Sequence, residues 1–499
     1  MKRALTILTV LLLISMGFVT IFQYSLLKEK DQVNFTDEIR YGEPSAAEGI
    51  TVTTRNHYDR HLFWDTAYEA GTNPSVSTDY TFYSTDHRIK SAPQNYFYID
   101  LDVQSYYLDM NEKENNNIGI DRAFYDLYHD NSIFYKDDSN TLQKSKLISL
   151  KDYYEYYPLT FHASIDEEYF FFSTMEQSMD DAAMELSPLA EYFRIPIIED
   201  DTRMIHLYQY GQGDYSTHVE FSESHPSYFF DNFGVVTDDA LFYTFSVSDS
   251  FGNSDGMNKL DFSHIPGGYG IYRIPYSTEK KNFGTKHHID SQNITMAYPL
   301  DKSISIFSFT ASKDNAKLFL AYQDKDSPDS VTEFAVIDAE TMETLQVIPF
   351  EGIPKEDGST ETLIPHALLI EEEYIVLSCS SEYLVVLERN NSGLYEYQFT
   401  VNIHENPVFE YYVDIPWRTA LDWNGTQLAV AGANTRQLST NRYALSCGFY
   451  LAIFDKDGLI YYSEHDSSLD KGPSPEGPYK PVQPLYNDDS DLLLSVKWE

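Results

Sequence analysis

The sequence is poor in cysteine: Cys379 and Cys447 are the only two among 499 residues. Two cysteines cannot build a disulfide scaffold, and a zinc site of four cysteines is excluded within one chain. Both cysteines fall at the ends of predicted strands. Export from the cell would permit a disulfide between them, but two buried free thiols are the favoured interpretation.

Basic residues are also scarce. The chain has 35 Lys and Arg against 78 Asp and Glu, so its formal net charge is -43. Nucleic-acid binding depends on Lys and Arg that neutralise phosphates, so no nucleic-acid partner is expected. The charge indicates a well-solvated surface that attracts cations. Aromatic residues make up 15% of the chain, which favours a large buried core over disorder.

Two families of functional motif are missing. The sequence contains no G-x-x-x-x-G-K phosphate loop and no S-x-D-x-G-x-x-W box of the sialidase type. A pair of catalytic carboxylates cannot be chosen either, because the separation of two carboxylates is a three-dimensional property. The sequence therefore assigns no catalytic and no cofactor-binding residue.

Long apolar runs are limited to the N-terminus, where residues 4–22 follow Lys2 and Arg3. About 20 apolar residues span a bilayer, and flanking positive charges stay on the cytoplasmic side. We therefore predict a signal anchor or transmembrane helix over residues 1–27. The location that follows is a single-pass protein of the cell membrane with an extracytoplasmic C-terminal domain. A cleaved signal peptide followed by secretion is the alternative.

The rest of the chain divides into a linker and one large domain. Residues 28–55 are polar and contain Gly42, Pro44 and Gly49, which predicts a linker. Residues 56–499 contain six copies of a polar turn followed by an apolar run. Such runs are typical of strands buried on both faces. The copies are residues 165–173, 236–245, 311–321, 369–378, 421–431 and 487–496.

Strand pairs follow several copies. Each pair is a strand, a polar turn and a second strand, at residues 334–347, 383–397 and 449–462. Turns such as Asn391-Ser-Gly393 and Lys456-Asp-Gly458 suit hairpins, since they tolerate positive φ. The copies recur roughly every 50 to 75 residues, room for about four strands each.

Four-stranded repeats at this spacing are the pattern of a β-propeller, because one blade cannot bury both faces alone. The predicted fold class is all-β, a β-propeller of about seven four-stranded blades, with six or eight left open. The last copy ends with one strand, so strands between His57 and Met110 should complete its blade and close the ring. Residues 96–103 are the example chosen for this role, and residues 175–194 are predicted as an inserted helix broken near Pro188.

Two segments resemble a known group of proteins. Residues 421–432 (LDWNGTQLAVAG), followed by a strand pair, resemble blade motifs of WD40-like and YVTN-like bacterial propellers. Residues 334–345 (FAVIDAETMETL) look like the strand–D-x-x-T–strand element of the same group. The resemblance implies a bacterial extracytoplasmic β-propeller, and it implies no particular chemistry, because propellers host unrelated activities.

Metal ligands are considered at two histidine clusters. His57, Asp59 and His61 would share one face of a strand and could bind a divalent metal, although an exposed chain entry is the favoured interpretation. His287, His288 and Asp290 form a second cluster, for which a solvated turn is favoured.

Calcium is the candidate cation at two Asp-rich loops, residues 249–256 and residues 324–329. An EF-hand beginning at Asp249 fails, because its third and twelfth positions hold Phe251 and Leu260. No cofactor is therefore assigned, and a looser calcium site stays open.

The predicted function is a membrane-anchored, extracytoplasmic binding or scaffolding module that is not an enzyme. Its partner would be a protein or a surface carbohydrate outside the cell, bound on one face of the ring. The 41 tyrosines favour this modestly, since Tyr supplies contact area with one polar group. The alternative is a propeller hydrolase or lyase with carboxylates and histidines at the central channel, for which dependence on a divalent cation is left open.

Overall fold

The structure is a computed structural model of the whole chain, and its elements are antiparallel β-strands with a few short helices. The residues it describes are 15–17, 20, 33–58, 62–82, 96–101, 119–136, 142–164, 187–210, 214–222, 224–250, 256–281, 284–289, 291–326, 331–354, 360–380, 383–403, 419–439, 442–471, 483–484 and 494–498.

Two compact units make up the chain. Unit 1 comprises Met1–Ser91, Tyr169–Thr174 and Ala367–Glu499. Unit 2 comprises Ala92–Glu168 and Met175–His366. The N-terminal and C-terminal parts of the sequence therefore belong to the same unit.

The described part of unit 1 contains three sheets. The strands of sheet 1 are β2 (Ile50–Tyr58), β3 (Leu62–Glu69), β4 (Ser75–Phe82), β30 (Gln483–Pro484) and β31 (Leu494–Trp498). Their order is β31-β2-β3-β4, and β30 also pairs with β2. Sheet 2 runs in sequence order through β22 (Pro365–Ile370), β23 (Tyr374–Cys379), β24 (Tyr383–Arg389) and β25 (Tyr395–Asn402). Sheet 3 joins β1 (Phe35–Tyr41) to β29 (Gly458–Ser467), β28 (Arg442–Asp455), β27 (Leu428–Ser439) and β26 (Thr419–Trp423).

Within the described residues, unit 2 also contains three sheets of four or five strands. Sheet 4 consists of β6 (Tyr135–Lys136), β7 (Leu142–Ser149), β9 (Thr202–Tyr210) and β10 (Asp214–Phe221). Sheet 5 consists of β11 (Tyr228–Val236), β12 (Ala240–Asp249), β13 (Gly270–Lys281), β14 (Gly284–Ile289) and β15 (Thr295–Pro299). Sheet 6 consists of β16 (Ile304–Ala311), β17 (Lys317–Asp324), β18 (Thr332–Asp338) and β19 (Thr344–Phe350).

Smaller elements complete the described part of unit 2. Two strand pairs are β5 (Tyr96–Leu101) with β8 (Leu159–Ser164), and β20 (Ile353–Pro354) with β21 (Thr360–Glu361). The helices are α1 (Gly119–His129), α2 (Ser187–Tyr192) and α3 (Gly256–Lys259). The apolar face of α1 packs on β7 and β9 through Ala123, Phe124 and Leu127.

The repeated turn of the sequence forms the first hairpin of four sheets. The backbone N–H at the start of the turn donates to the carbonyl three residues later in three copies: Thr237 to Ala240 at 2.9 Å, Glu371 to Tyr374 at 2.9 Å and Asn424 to Gln427 at 3.2 Å. The copy at Ser312 closes over a longer loop, with its N–H on Lys317 O at 2.9 Å. Acidic and Asn residues favour such turns because their side chains accept backbone hydrogen bonds.

The strand after each of these turns lies inside its sheet, as predicted. In β12, the residues from Ala240 to Phe245 are all buried, and the central residues of β17, β23 and β27 are buried too. The strand pairs predicted at residues 334–347, 383–397 and 449–462 are confirmed as β18–β19, β24–β25 and β28–β29. The coarser fold prediction, an all-β chain of antiparallel sheets, is therefore correct.

Three boundaries differ from the sequence predictions. Residues 28–55 are not only a linker, because β1 and most of β2 lie there and pair with β29 and β31. The C-terminal strand β31 pairs with β2, in one sheet with β3 and β4, so N-terminal strands do join the last copy as predicted; residues 96–101, the example chosen, pair with β8 instead. Pro188 lies inside α2, because a proline in the first helical turn lacks only an N–H that would be unpaired anyway. The 165–173 copy and residues 175–186 fall outside the described residues.

The predicted membrane anchor is corrected. A helix needs about 20 apolar residues to cross the hydrocarbon core. Within the ranges that the structure describes, no helix is long and apolar enough to do so, and the longest, α1, has 11 residues. This finding contradicts the single-pass location at the cell membrane. Most of the predicted anchor, residues 1–27, lies outside the described residues.

Candidate functional site

The last residues of β26 join the three sheets of unit 1. The carboxylate of Asp422 accepts a hydrogen bond from the Tyr374 hydroxyl of sheet 2 at 3.0 Å. Its other oxygen accepts the backbone N–H of Trp498, in sheet 1, at 2.7 Å. Burial, and then the adjacent Asp422 charge, raises the pKa of Tyr374 above its usual value. Asp422 therefore holds the end of β26 in a fixed position.

The turn after β26 is equally well ordered by one side chain. The Asn424 Oδ1 accepts the N–H groups of Thr426 at 2.9 Å and Gln427 at 2.8 Å, and the Thr426 hydroxyl at 3.0 Å. Gly425 has φ +94°, in the left-handed region that favours glycine. These bonds fix Thr426 and Gln427 at the rim of a cavity.

The Trp423 cavity, with a volume of about 310 Å³, opens beside this turn. Sheet 2 contributes Gln398 and Phe399 to it. Sheet 3 contributes both the turn after β26 and the turn between β28 and β29. The residues that line the cavity are Gln398, Phe399, Trp423, Gly425, Thr426, Gln427, Asp455 and Lys456.

An aromatic pair forms the floor of the cavity. The rings of Phe399 and Trp423 lie 5.3 Å apart between centroids, tilted by 55°. Trp423 is 8% exposed, and its Nε1 has no hydrogen-bond partner among the described residues. A buried N–H without a partner costs about 1–3 kcal/mol. The indole N–H is therefore a buried, unsatisfied donor in a residue that lines the cavity.

Polar groups surround this floor. Gln398 and Gln427 each carry an amide that donates and accepts, Thr426 a hydroxyl, and Asp455 a carboxylate. Lys456 is largely exposed and lies 3.3 Å from Asp457. The arrangement combines an apolar aromatic surface with several short-range hydrogen-bonding groups.

A Ser-His-Asp series occurs in sheet 3 but is buried. The His465 Nδ1 lies 2.9 Å from Asp37 Oδ1, and its Nε2 lies 2.7 Å from Ser463 Oγ. Ser463 is 0% exposed and His465 is 1% exposed, so no substrate can reach the hydroxyl. Burial raises the pKa of Asp37, but hydrogen bonds from His465 and Tyr68 outweigh it and lower the pKa overall. The series ties β1 to β29.

The two histidine clusters considered as metal ligands are described only in part. His57 lies on β2, while Asp59 and His61 fall outside the described residues. His287 and His288 are consecutive residues of β14, and metal binding by either cluster stays a prediction. Asp290 is also outside the described part.

The loops predicted to hold calcium are described only in part. Asp249 is buried at the end of β12, and Asp324 Oδ1 accepts the Asp326 N–H at 3.0 Å. No group of three or more His, Cys, Asp or Glu within the described ranges is arranged to hold a metal ion. Residues 251–255 and 327–330 lie outside those ranges, so calcium binding there stays a prediction.

The Asp-rich loop at residues 249–256 also contains a motif that is typical of catalytic serines. Residues 252–256 read Gly-Asn-Ser-Asp-Gly, which matches G-x-S-x-G, although we interpreted this stretch only as a calcium loop. A nucleophile elbow places its serine on a strand-to-helix turn of an α/β-hydrolase sheet. Here the preceding strand, β12, belongs to an antiparallel sheet, and α3 has four residues. Residues 251–255 are outside the described structure.

Both cysteines are buried free thiols, as favoured from the sequence. Cys379 ends β23, and burial raises the pKa of its thiol well above the usual value. Cys447 lies on β28 and packs against Val33, Trp64 and Leu469. The disulfide alternative is therefore wrong.

Sequence reasoning singled out the segment that carries Trp423 and Gln427, but as a fold motif and not as a site. Phe399 and Asp455 come from other strands. The sequence signal that could have located the cavity is the pair of polar turns Asn424-Gly425 and Asp457-Gly458. They close two hairpins of the same sheet.

No protein-family model matches the sequence, and no curated protein matches it. Among solved structures, the chain is similar to a mutant of Trypanosoma rangeli sialidase displaying trans-sialidase activity. The two share 10% sequence identity over 53% of this chain and 49% of that chain, with a TM-score of 0.25. The match thus spans about half the length of that protein.

Proposed function

We propose that this chain is a non-enzymatic binding module and that the Trp423 cavity binds a neutral carbohydrate. The observation that carries the proposal is the composition of this one cavity: an aromatic floor of Phe399 and Trp423 bordered by amide, hydroxyl and carboxylate groups. A sugar ring presents the complementary surface, with C–H groups on its face and hydroxyls around its edge.

The size of the cavity fits this ligand class. At about 310 Å³ it lies at the lower end of the range for small-molecule sites, which is roughly 300–1,000 Å³. A sugar hydroxyl both donates and accepts, as do the Gln398 and Gln427 amides. The net charge of -43 repels acidic sugars, which favours a neutral one.

The charged groups favour binding over hydrolysis. Glycoside hydrolysis commonly uses two carboxylates on either side of the scissile bond. Among the described residues that line the cavity, Asp455 is the single carboxylate. Of two acidic side chains close by, Asp422 accepts from Tyr374 and Trp498, and Asp457 lies 3.3 Å from the Lys456 ammonium.

The scaffold that we propose is a β-propeller of about seven blades. Six sheets of four or five strands are present in the described structure, which supports blades. Sheet 1 combines β31 from the C-terminal end with β2, β3 and β4 from the N-terminal end. Closure of a propeller ring requires a sheet that is built from both ends of the sequence in this way.

A panel of neutral mono- and oligosaccharides tests the function, with affinities measured by calorimetry on the full chain. We expect a millimolar or tighter ligand whose affinity falls about tenfold in both Gln427→Ala and Asp455→Ala, since each removes one hydrogen-bonding side-chain group. Gln346→Ala, on β19 of sheet 6, is the matched control and should bind normally. Binding that survives both cavity variants, or no binding across the panel, would contradict the proposal.

A further inference from the structure

The turn at the rim of the Trp423 cavity contains the one Asn-Gly pair of the whole sequence, Asn424-Gly425. It connects β26 to β27, and both residues are exposed to solvent. Such a pair is chemically reactive, because the backbone nitrogen of the glycine can attack the side-chain amide of the asparagine and close a five-membered ring. The two groups are neighbours in one chain, so the attack is intramolecular and has a high effective concentration.

The side-chain amide of Asn424 is surrounded by hydrogen-bond donors. Its Oδ1 accepts the N–H groups of Thr426 at 2.9 Å and Gln427 at 2.8 Å, and the Thr426 hydroxyl at 3.0 Å. Three donors on one carbonyl oxygen withdraw electron density from Cγ, which makes this carbon a better electrophile. The same donors stabilise the negative charge that Oδ1 gains when a nucleophile adds to Cγ, as an oxyanion hole does.

Gly425 supplies an accessible nucleophile. It has no side chain to screen its nitrogen, and its φ of +94° lies in the region that favours glycine. A Cβ built on Gly425 would meet no atom within 4 Å, so the space around the residue is open. Within the part of the chain that the structure describes, the Gly425 N–H makes no hydrogen bond. Its proton can therefore pass to solvent without the loss of an internal hydrogen bond.

We propose that Asn424 is a deamidation site of the folded chain and that its turn accelerates the reaction. The Gly425 nitrogen gives its proton to hydroxide from the solvent and forms a bond to Asn424 Cγ. The Cγ–Nδ2 bond breaks, and ammonia leaves with a proton taken from water, which yields a succinimide. Water then opens the ring. Cleavage of the bond from the Gly425 nitrogen to Cγ gives aspartate, and cleavage of its bond to the backbone carbonyl carbon gives isoaspartate.

The two products affect the turn differently. Aspartate keeps a carboxylate oxygen at the position of Oδ1, so it accepts the same N–H groups. Isoaspartate adds one methylene to the backbone and carries its carboxylate directly on Cα, so Thr426 and Gln427 lose their acceptor. Weaker saccharide binding by the isoaspartyl form is a consequence that rests on the carbohydrate proposal. The modification itself does not, because it is measured by mass.

Asn390 provides a matched comparison within the same chain. Its Oδ1 accepts the N–H groups of Ser392 at 2.8 Å and Leu394 at 3.1 Å, so its amide is also held by donors. The residue that follows is Asn391, and a side chain on that residue hinders attack by its nitrogen. Asn390 should therefore stay intact under conditions in which Asn424 reacts.

Peptide mapping by mass spectrometry tests the proposal on the full chain, incubated in parallel in native buffer and in guanidinium chloride. The exchange of an amide for a carboxylate is read at each asparagine, and an isoaspartyl methyltransferase identifies isoaspartate in the peptides. We expect Asn424 to react about tenfold faster in the folded chain than in the unfolded chain, because only the folded turn presents the three donors. A native rate no higher than the denatured rate, or conversion of Asn390 as fast as that of Asn424, would overturn the proposal.

Thr426→Val separates the effect of the donors from simple exposure. It removes the hydroxyl that donates to Oδ1 and should slow deamidation of Asn424 several-fold in native buffer, with no change in denaturant. Thr400→Val, at an exposed position of β25, is the matched control and should leave the native rate unchanged. A native rate that Thr426→Val does not lower would contradict the role of the turn. If this variant fails to fold, the native and denatured rates of the wild type decide the matter alone.

Discussion

The hydroxyl of Tyr374 donates a hydrogen bond to Asp422 Oδ1 across 3.0 Å, from the first residue of β23 to a residue near the end of β26. Trp498 uses the other carboxylate oxygen, so one side chain connects three sheets. The Trp423 cavity lies directly beyond this point, and its floor residue follows Asp422 in sequence.

Removal of the Tyr374 hydroxyl should weaken unit 1 modestly. We expect Tyr374→Phe to lower the free energy of unfolding by about 1 kcal/mol, the net value of one hydrogen bond. Asp422→Ala should lower it by more, about 1–3 kcal/mol, because the Trp498 N–H is then left unpaired. Urea denaturation measures both.

Tyr41→Phe is the control for this pair, since Tyr41 lies on β1 and is 42% exposed. It should leave the unfolding midpoint in place. A control that loses as much stability as Tyr374→Phe would show that the Tyr374 hydrogen bond is not the cause.

Stability should depend on pH through Asp37. Its carboxyl has a lowered pKa in the folded chain, so it binds its proton less tightly there than in the unfolded chain. The stabilisation is therefore fully present above the ordinary value of 3.8 and is lost as pH falls through the lowered folded value. We expect the stability difference between wild type and Asp37→Asn to shrink as the pH falls below about 4.

Denaturation curves from pH 3 to pH 7 check this expectation. Asp466→Asn, at the next residue of β29 after His465, should show no such dependence. A wild-type advantage over Asp37→Asn that grows on acidification would contradict the role assigned to Asp37.

The buried Ser463-His465-Asp37 series should be chemically silent. Because Ser463 is 0% exposed, a fluorophosphonate that labels active-site serines should not modify it in the folded chain. Intact mass and peptide mapping measure the labelling. An adduct on Ser463 that Ser463→Ala abolishes would instead support the enzyme alternative.

The two thiols should be unreactive until the chain unfolds. Cys379 and Cys447 are free and buried, so a thiol reagent should titrate none in native buffer and two in denaturant. Fewer than two thiols in denaturant without reductant would indicate a disulfide.

Hairpins were predictable from this sequence, because each depends on neighbouring residues. The turn that begins at Asn424 and the strand pair around Asp338 and Thr341 follow from local chemistry, since Asp338 Oδ1 accepts the Thr341 N–H at 2.7 Å. The partners of the terminal strands were harder to predict. The polar strand β1 is exposed along most of its length, so its composition resembled a linker.

The candidate site could not be predicted, because its residues are distant in sequence. Phe399, Trp423 and Asp455 lie on three strands and meet only after two sheets pack together. A second cavity, lined in part by Leu101, Arg203 and Phe221, shows the same limit, because Arg203 and Phe221 follow Leu101 by more than a hundred positions. The wrong prediction of a membrane anchor at the N-terminus had another cause. An apolar run of adequate length does not by itself establish a membrane helix.

The indole N–H of Trp423 tests the carbohydrate site most directly. The chain has four tryptophans, so ¹⁵N-tryptophan labelling gives a short set of indole resonances, and Trp423→Phe assigns one of them. During titration with the best-binding neutral saccharide, we predict that the Trp423 Nε1–H resonance moves and that the Trp64 resonance does not. Saccharide binding with a stationary Trp423 resonance would contradict the account.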